Sequence, residues 1–205
     1  MWRGENLSWR SQPFRNWMPL NRVTMENSVT ESVSRVREGG SGDAVLAELQ
    51  PLVVRTVRLI VGAGSALAED AAQEALLELG RALPRLREGD AAPAFAARVA
   101  ARVAMRTVKR ERRFAALGLR WRESQVAVSG VQPVELLELK EAFDRLPPRQ
   151  RATAVLRLYV GLSEQETAEA LGCSPGTVKH QLHDARRALA GYLTGDPAML
   201  EEADS

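Results

Sequence analysis

Residues 163–189 read SEQETAEALGCSPGTVKHQLHDARRAL, and this stretch decides the fold. Ser163 stands three residues before Glu166, the spacing at which a hydroxyl and a carboxylate cap a helix start reciprocally, so a short helix is predicted over Glu164–Leu171. Gly172 follows, a residue that takes a positive φ without steric cost. Ser174-Pro175 then supplies an N-cap and a first-turn proline for a second helix. In that helix Val178, Leu182, Ala185 and Leu189 recur at three- and four-residue spacing, giving a buried stripe that runs through Leu193. A small residue where two helices cross (Ala168), a turn glycine (Gly172) and an apolar wedge (Val178) are the steric requirements of a helix-turn-helix. The competing reading, an ordinary helical hairpin with a glycine turn, is disfavoured because the capping signals agree with the steric ones.

The outward positions of the second helix are Ser174, Thr177, Lys179, His180, Gln181, His183, Arg186 and Arg187, with Asp184 the one acid among them. Their side chains can donate hydrogen bonds to base edges or phosphates, as a helix seated in a major groove must. Taken singly, each could equally be part of a solvated helix face; the set carries the reading. His180 and His183 are three apart, a metal-ligand spacing, but a third ligand is missing and no metal is predicted. Cys173 is the only cysteine of the chain, so no internal disulfide can form, and its place in the turn is assigned to packing.

Working outward, the 205 residues suit two small domains. Hydrophobic residues make up 45% but aromatics only 5%, so the core must be built from Leu, Val and Ala, and an all-α fold is predicted: two small helical domains joined by a flexible linker. A first helix is predicted from Asp43, as N-cap, through Val61, despite Pro51. A second runs over about Leu67–Leu83, with Ala68, Ala72, Ala75, Leu76, Leu79 and Leu83 on its buried side and Glu69, Asp70, Gln73, Glu74 and Glu78 on the other. A third, about Ala92–Phe114, sets Phe95, Val99 and Val103 in one row beside Arg98, Arg102, Arg106 and Arg110 in the next. Between Arg98 and Arg122 the only acid is Glu111, so the near-neutral net charge of +2 conceals a block that seeks a polyanion or an acidic partner.

The expected organisation is a disordered leader over 1–42, a first domain over 43–114, a linker over 115–133, a helix-turn-helix domain over 134–195 and a disordered tail over 196–205. In the second domain, Leu136, Leu139, Phe143 and Leu146 carry a helix ending at Pro147-Pro148, and Ala154, Val155, Leu158 and Tyr159 carry another up to Gly161. The first 24 residues hold Trp2, Trp9 and Trp17 without helical or strand period. Two readings stand for them: translation begins at Met25, or the aromatics dock on a partner. No apolar run reaches a membrane span and no signal-peptide core is visible, so a cytoplasmic protein without a membrane partner is expected, and no cofactor is predicted.

The run Leu146-Pro147-Pro148-Arg149-Gln150-Arg151, continued by Leu158-Tyr159, Gly161-Leu162-Ser163, Glu166-Thr167-Ala168, Leu171-Gly172 and Gly176-Thr177-Val178-Lys179, resembles region four of the extracytoplasmic-function (group four) sigma factors of bacterial RNA polymerase. Glu69-Asp70-Ala71-Ala72-Gln73-Glu74-Ala75-Leu76, with Arg81-Ala82-Leu83-Pro84-Arg85-Leu86, is similar to region two of that family. The resemblance implies a factor that binds core RNA polymerase and directs promoter recognition, promoter melting and initiation. It implies that Asp70, Gln73 and Glu74 contact the polymerase clamp helices, that region four meets the polymerase flap, and that the outward residues of the last helix read the minus-thirty-five element. It also places Phe95, Arg98, Arg102, Arg106, Lys109 and Arg110 on the minus-ten element, and an anti-sigma factor is a further expected partner. The chain departs from the family where Phe95 stands in place of a tryptophan and where Arg102 and Arg106 replace a common asparagine and aspartate. As phosphate contacts these cations would add affinity and salt dependence rather than base specificity.

Two other classes compete. A helix-turn-helix regulator with a helical sensor domain, of which LuxR-type proteins are an example, would bind its operator without replacing the sigma subunit. An enzyme is disfavoured: the only histidines are His180 and His183, no nucleophile with its base is visible, and Gly39-Gly40-Ser41-Gly42 lacks the lysine and spacing of a phosphate loop.

Overall fold

The computed structural model describes residues 42–62, 65, 67–85, 92–117 and 141–194. The expectations for the leader, for Leu86, Leu136 and Leu139, for most of the linker and for the tail lie outside these residues. Every described element is helical. Helix α1 spans Gly42–Val61, α2 Leu67–Ala82 followed by a 3-10 turn Leu83–Arg85, and α3 Ala92–Ala116. A helical segment over 141–145 precedes α4, Pro148–Ala154, which widens into a π-helix over Val155–Val160; α5 spans Glu164–Leu171 and α6 Pro175–Thr194.

The first three helices pack each against the other two. Val45, Leu49, Val53, Val57 and Ile60 line the inner side of α1, while α2 and α3 bury mostly alanine and valine. Small side chains let helix axes approach toward the lower end of the roughly 8–10 Å range. Pro51 sits inside α1 with its ring exposed, as is Ala47 four residues before it, so the hydrogen bond proline cannot make is lost on the wet side of the helix. Asp43 stands in the first turn of α1 rather than at the N-cap position, contrary to expectation. The helix begins at Gly42, so the Asp43 carboxylate favours the positive end of the helix dipole. Helix α3 runs two residues past Phe114 into the stretch expected to be linker.

In the second bundle α4 and α5 both lie on α6. Phe143, Leu146, Leu156 and Leu189 form its interior. The π-turns end at Gly161, whose φ of 82° closes the helix, and Leu162 N–H returns to Leu156 O at 2.9 Å.

The two bundles share one continuous apolar cluster. Helix α5 packs against α3, and α4 and its π-helix against α1. Arg151 is buried at this junction and donates to Asp144 Oδ1 at 2.9 Å. Burial lowers the Arg151 pKa, Asp144 opposes that, and Arg112 from α3 adds to it. Gly62, at φ 109°, ends α1 directly beside the pair: a Cβ there would lie 3.4 Å from Asp144 Oδ1 and 3.5 Å from Arg151 Nη1. Burial likewise raises the Tyr159 pKa, and the neighbouring Arg55 of α1 opposes that.

Candidate nucleic-acid and polymerase interfaces

The helix-turn-helix is built by local rules. The Ser163 hydroxyl accepts from Glu166 N–H at 3.1 Å, and the Glu166 carboxylate accepts from Ser163 N–H at 2.7 Å, so both halves of the capping box are made. Gly172 takes φ 63° and ψ 48°, and Cys173 N–H reaches back to Ala168 O at 3.0 Å, closing α5 with a left-handed cap. The Ser174 hydroxyl then accepts from Thr177 N–H at 3.1 Å and starts α6. Val178 and Ala168 are buried where the two helices meet.

Of the outward set on α6, Ser174, Lys179, His180, His183 and Arg186 are exposed, and Thr177, Gln181 and Arg187 are half-buried. Gln181 is already engaged, accepting from the buried Thr153 hydroxyl at 2.7 Å and so tying α6 to α4. Asp184 lies 3.6 Å from His180 Nε2 and 3.5 Å from His183 Nδ1, holding both rings along one edge of the helix. Among the described residues no group of three or more His, Cys, Asp and Glu is arranged to hold a metal ion.

The fold adds a residue that sequence spacing did not bring to this face. Partial burial lowers the Arg186 pKa and the neighbouring cation of Arg157 lowers it further, with Glu164 opposing. Arg157 is itself oriented by donating to Leu162 O. Two cations whose charges act on one another together favour an anion on this side of the fold. Arg157 stands on the π-helix, 29 positions upstream of Arg186, so sequence spacing does not pair the two.

The second surface is the α2–α3 face. Asp70, Gln73 and Glu74 are exposed along α2, and Leu77, in the same row, is 62% exposed. Arg58 of α1 donates to Glu69 at 2.6 Å and joins the edge of this acidic face to α1. On α3, Arg102, Arg106, Lys109 and Arg110 are exposed, whereas Phe95 and Arg98 are half-buried, with the Arg98 guanidinium 5.9 Å from the centroid of the Phe95 ring. The structure brings the acidic and basic rows together at one point: Arg106 Nη2 lies 3.0 Å from Glu74 Oε1 and also donates to Glu78 Oε1. The Glu78 hydrogen bond, with the two carboxylate charges, raises the Arg106 pKa against a smaller effect of burial.

Residues 45–114 match the family model Sigma-70 region 2, and residues 136–189 match Sigma-70, region 4. The ECF RNA polymerase sigma factor SigD of Mycobacterium tuberculosis (strain ATCC 25618 / H37Rv) is 35% identical over 182 residues, which cover 82% of this chain and 85% of that protein. RNA polymerase sigma-E factor of Streptomyces antibioticus is 44% identical over 68 residues, 33% of this chain and 36% of that protein. Among solved structures, the sigma factor RpoE in complex with the anti-sigma factor NepR from Bartonella quintana aligns with a TM-score of 0.58 at 22% identity, covering 75% of this chain and 97% of that one. The chain thus carries both regions of a sigma-70-type initiation factor, and it belongs to the ECF sigma factors of RNA polymerase. It acts with core RNA polymerase on promoter DNA to direct transcription initiation, which sets aside a regulator working without the polymerase. Among the described residues no helix is long and apolar enough to cross a membrane.

Proposed function

We propose that this factor divides its work between the two surfaces just described. The acidic row Asp70, Gln73 and Glu74 docks on the polymerase clamp helices, with exposed Leu77 as the apolar centre of that contact. The cations of α3 follow the backbone of the melted minus-ten strand, and the Arg98-capped Phe95 ring offers a limited stacking surface to an unpaired base. Helix α6 enters the major groove of the minus-thirty-five duplex, where Lys179, His180, His183 and Arg186 reach bases or phosphates and Arg157 supports Arg186. Region four meets the polymerase flap, and the intervening chain runs toward the RNA exit path. No covalent step falls to this chain; nucleotidyl transfer belongs to the polymerase, in whose compartment, the cytoplasm, the factor works. RpoE was solved in complex with the anti-sigma factor NepR, and an anti-sigma partner of this chain is part of the same reading.

The observation that carries this reading is the exposed, donor-rich first half of α6 set directly behind the Gly172 turn. A gel shift with a promoter duplex, core enzyme and the full chain tests it. The chain alone should shift the duplex weakly, and chain plus core should shift it specifically. Asp70→Ala combined with Glu74→Ala should weaken core binding at least ~10-fold, the scale of losing close interfacial charges. Since both side chains are exposed, the melting temperature should hold. Core binding equal to the parent's would sink the docking assignment.

A further inference from the structure

Glu78 belongs to none of the functional sets above, yet it sits among three cations. It accepts from Arg106, and it lines a cleft between α2 and α3 together with Arg81, Ala82, Val99 and Arg102. A carboxylate that accepts from one guanidinium in a cleft lined by two more occupies a place where a phosphate oxygen could be held instead. Arg106 is shared: one of its nitrogens serves both Glu78 and Glu74, and Glu74 lies in the exposed row assigned to the polymerase.

We propose that Glu78 is an internal competitor for a nucleic-acid phosphate, holding Arg106 off DNA in the free factor until Glu74 is drawn to the polymerase and the guanidinium passes to the promoter strand. This rests on the reading that Asp70, Gln73 and Glu74 face the polymerase and that α3 faces the melted strand. The exchange is electrostatically economical. With Glu74 engaged elsewhere, Arg106 keeps one carboxylate rather than two, and an incoming phosphate needs to displace only Glu78. The pair is solvent-exposed, with side-chain exposures of 55% for Arg106, 46% for Glu74 and 34% for Glu78, so its hold is weak enough to be exchanged. Exposed pairs of this kind shift an equilibrium by up to about fivefold. Polymerase docking and strand binding would then favour one another reciprocally.

The test uses the full chain in four forms: the parent, Glu78→Gln, Arg106→Gln and the double variant. Each is titrated with a labelled single-stranded DNA oligonucleotide over a range of salt, with and without core polymerase. For the free factor, Glu78→Gln should tighten binding about threefold to fivefold and steepen the dependence of log affinity on log salt by ~0.7, one added phosphate contact on a single strand. That gain should vanish in the Arg106→Gln background. Arg106→Gln should weaken strand binding more in the polymerase complex than in the free factor. Glu78→Ala, as a second variant, should repeat the Glu78→Gln result, and matched melting curves check the fold. An equal gain from Glu78→Gln with or without Arg106 would reduce the effect to net charge and overturn the proposal. If Arg106→Gln weakens strand binding in the polymerase complex while Glu78→Gln leaves the free factor unchanged, the competitor role fails and the strand reading stands. If Arg106→Gln changes nothing in either state, the strand reading of Arg106 fails with it.

Discussion

The helix-turn-helix and the α2–α3 face are both charged surfaces on helices, but they are assembled by different physics. In the first, each decisive contact lies within five residues of chain: Ser163 with Glu166, Cys173 with Ala168, Ser174 with Thr177. In the second, the decisive contacts span the bundle: Arg58 to Glu69 across 11 positions, Arg106 to Glu78 across 28 and to Glu74 across 32. A surface set by local capping has its geometry fixed wherever the chain places it. A surface set by tertiary ion pairs can exchange those pairs for a partner's.

That difference can be broken most forcefully at the shared core. Leu189 is fully buried on α6, and Leu189→Ala should cost ~2–5 kcal/mol in urea denaturation. Because the two bundles share one apolar cluster, hydrogen exchange should quicken in α2 as well as in α6. Protection retained in α2 would show that the bundles are energetically separate. Arg186→Ala comes next. It should weaken binding of the polymerase complex to a minus-thirty-five duplex by ~1–3 kcal/mol, measured by competition, while leaving single-strand binding unchanged; an equal loss on both substrates would place Arg186 outside the duplex contact.

Smaller is the effect of the turn itself. Gly172 has φ 63° and no atom within 4 Å of where a Cβ would be, so Gly172→Ala should cost only backbone strain, ~1–2 kcal/mol in denaturant midpoint terms. A loss above that range would mean the turn is also a packing site. Smallest is a pH effect at the junction of the bundles. Burial raises the Tyr159 pKa above the ordinary phenol value of 10.0, so the folded state favours the neutral phenol. That contribution is complete below pH 10.0 and is lost as pH rises above it. Tyr159→Phe should flatten the alkaline fall in stability by less than ~1 kcal/mol, read from denaturation midpoints on either side of that value; an unchanged slope would mean the phenol is not held neutral by the fold.

The same division explains what was legible in the sequence. The limits of α5, the capping box and the Gly172 turn could be read directly, because each depends on residues a few positions apart. The Leu, Val and Ala stripes gave the all-helical class, and α1 was legible through Pro51 because the apolar spacing continues across it. Asp43 was misplaced by two positions because Gly42 already joins the helix. The engagement of Gln181 with Thr153, the approach of Arg157 to Arg186 and the sharing of Arg106 by Glu74 and Glu78 were not legible. Each depends on the angle at which two helices cross, which sequence spacing does not encode. The widening of α4 into π-turns has the same origin: the apolar residues from Ala154 to Tyr159 fit either helical pitch, and only the packed structure selects one.

Run-off transcription with purified core RNA polymerase, with and without this chain, on a pooled genomic promoter library tests the central claim most directly. The two-surface account predicts new, discrete start sites that share two upstream elements, lost when Asp70→Ala is combined with Glu74→Ala and weakened at the more distant element by Arg186→Ala. No new start sites, alongside specific duplex binding by the chain alone, would contradict it.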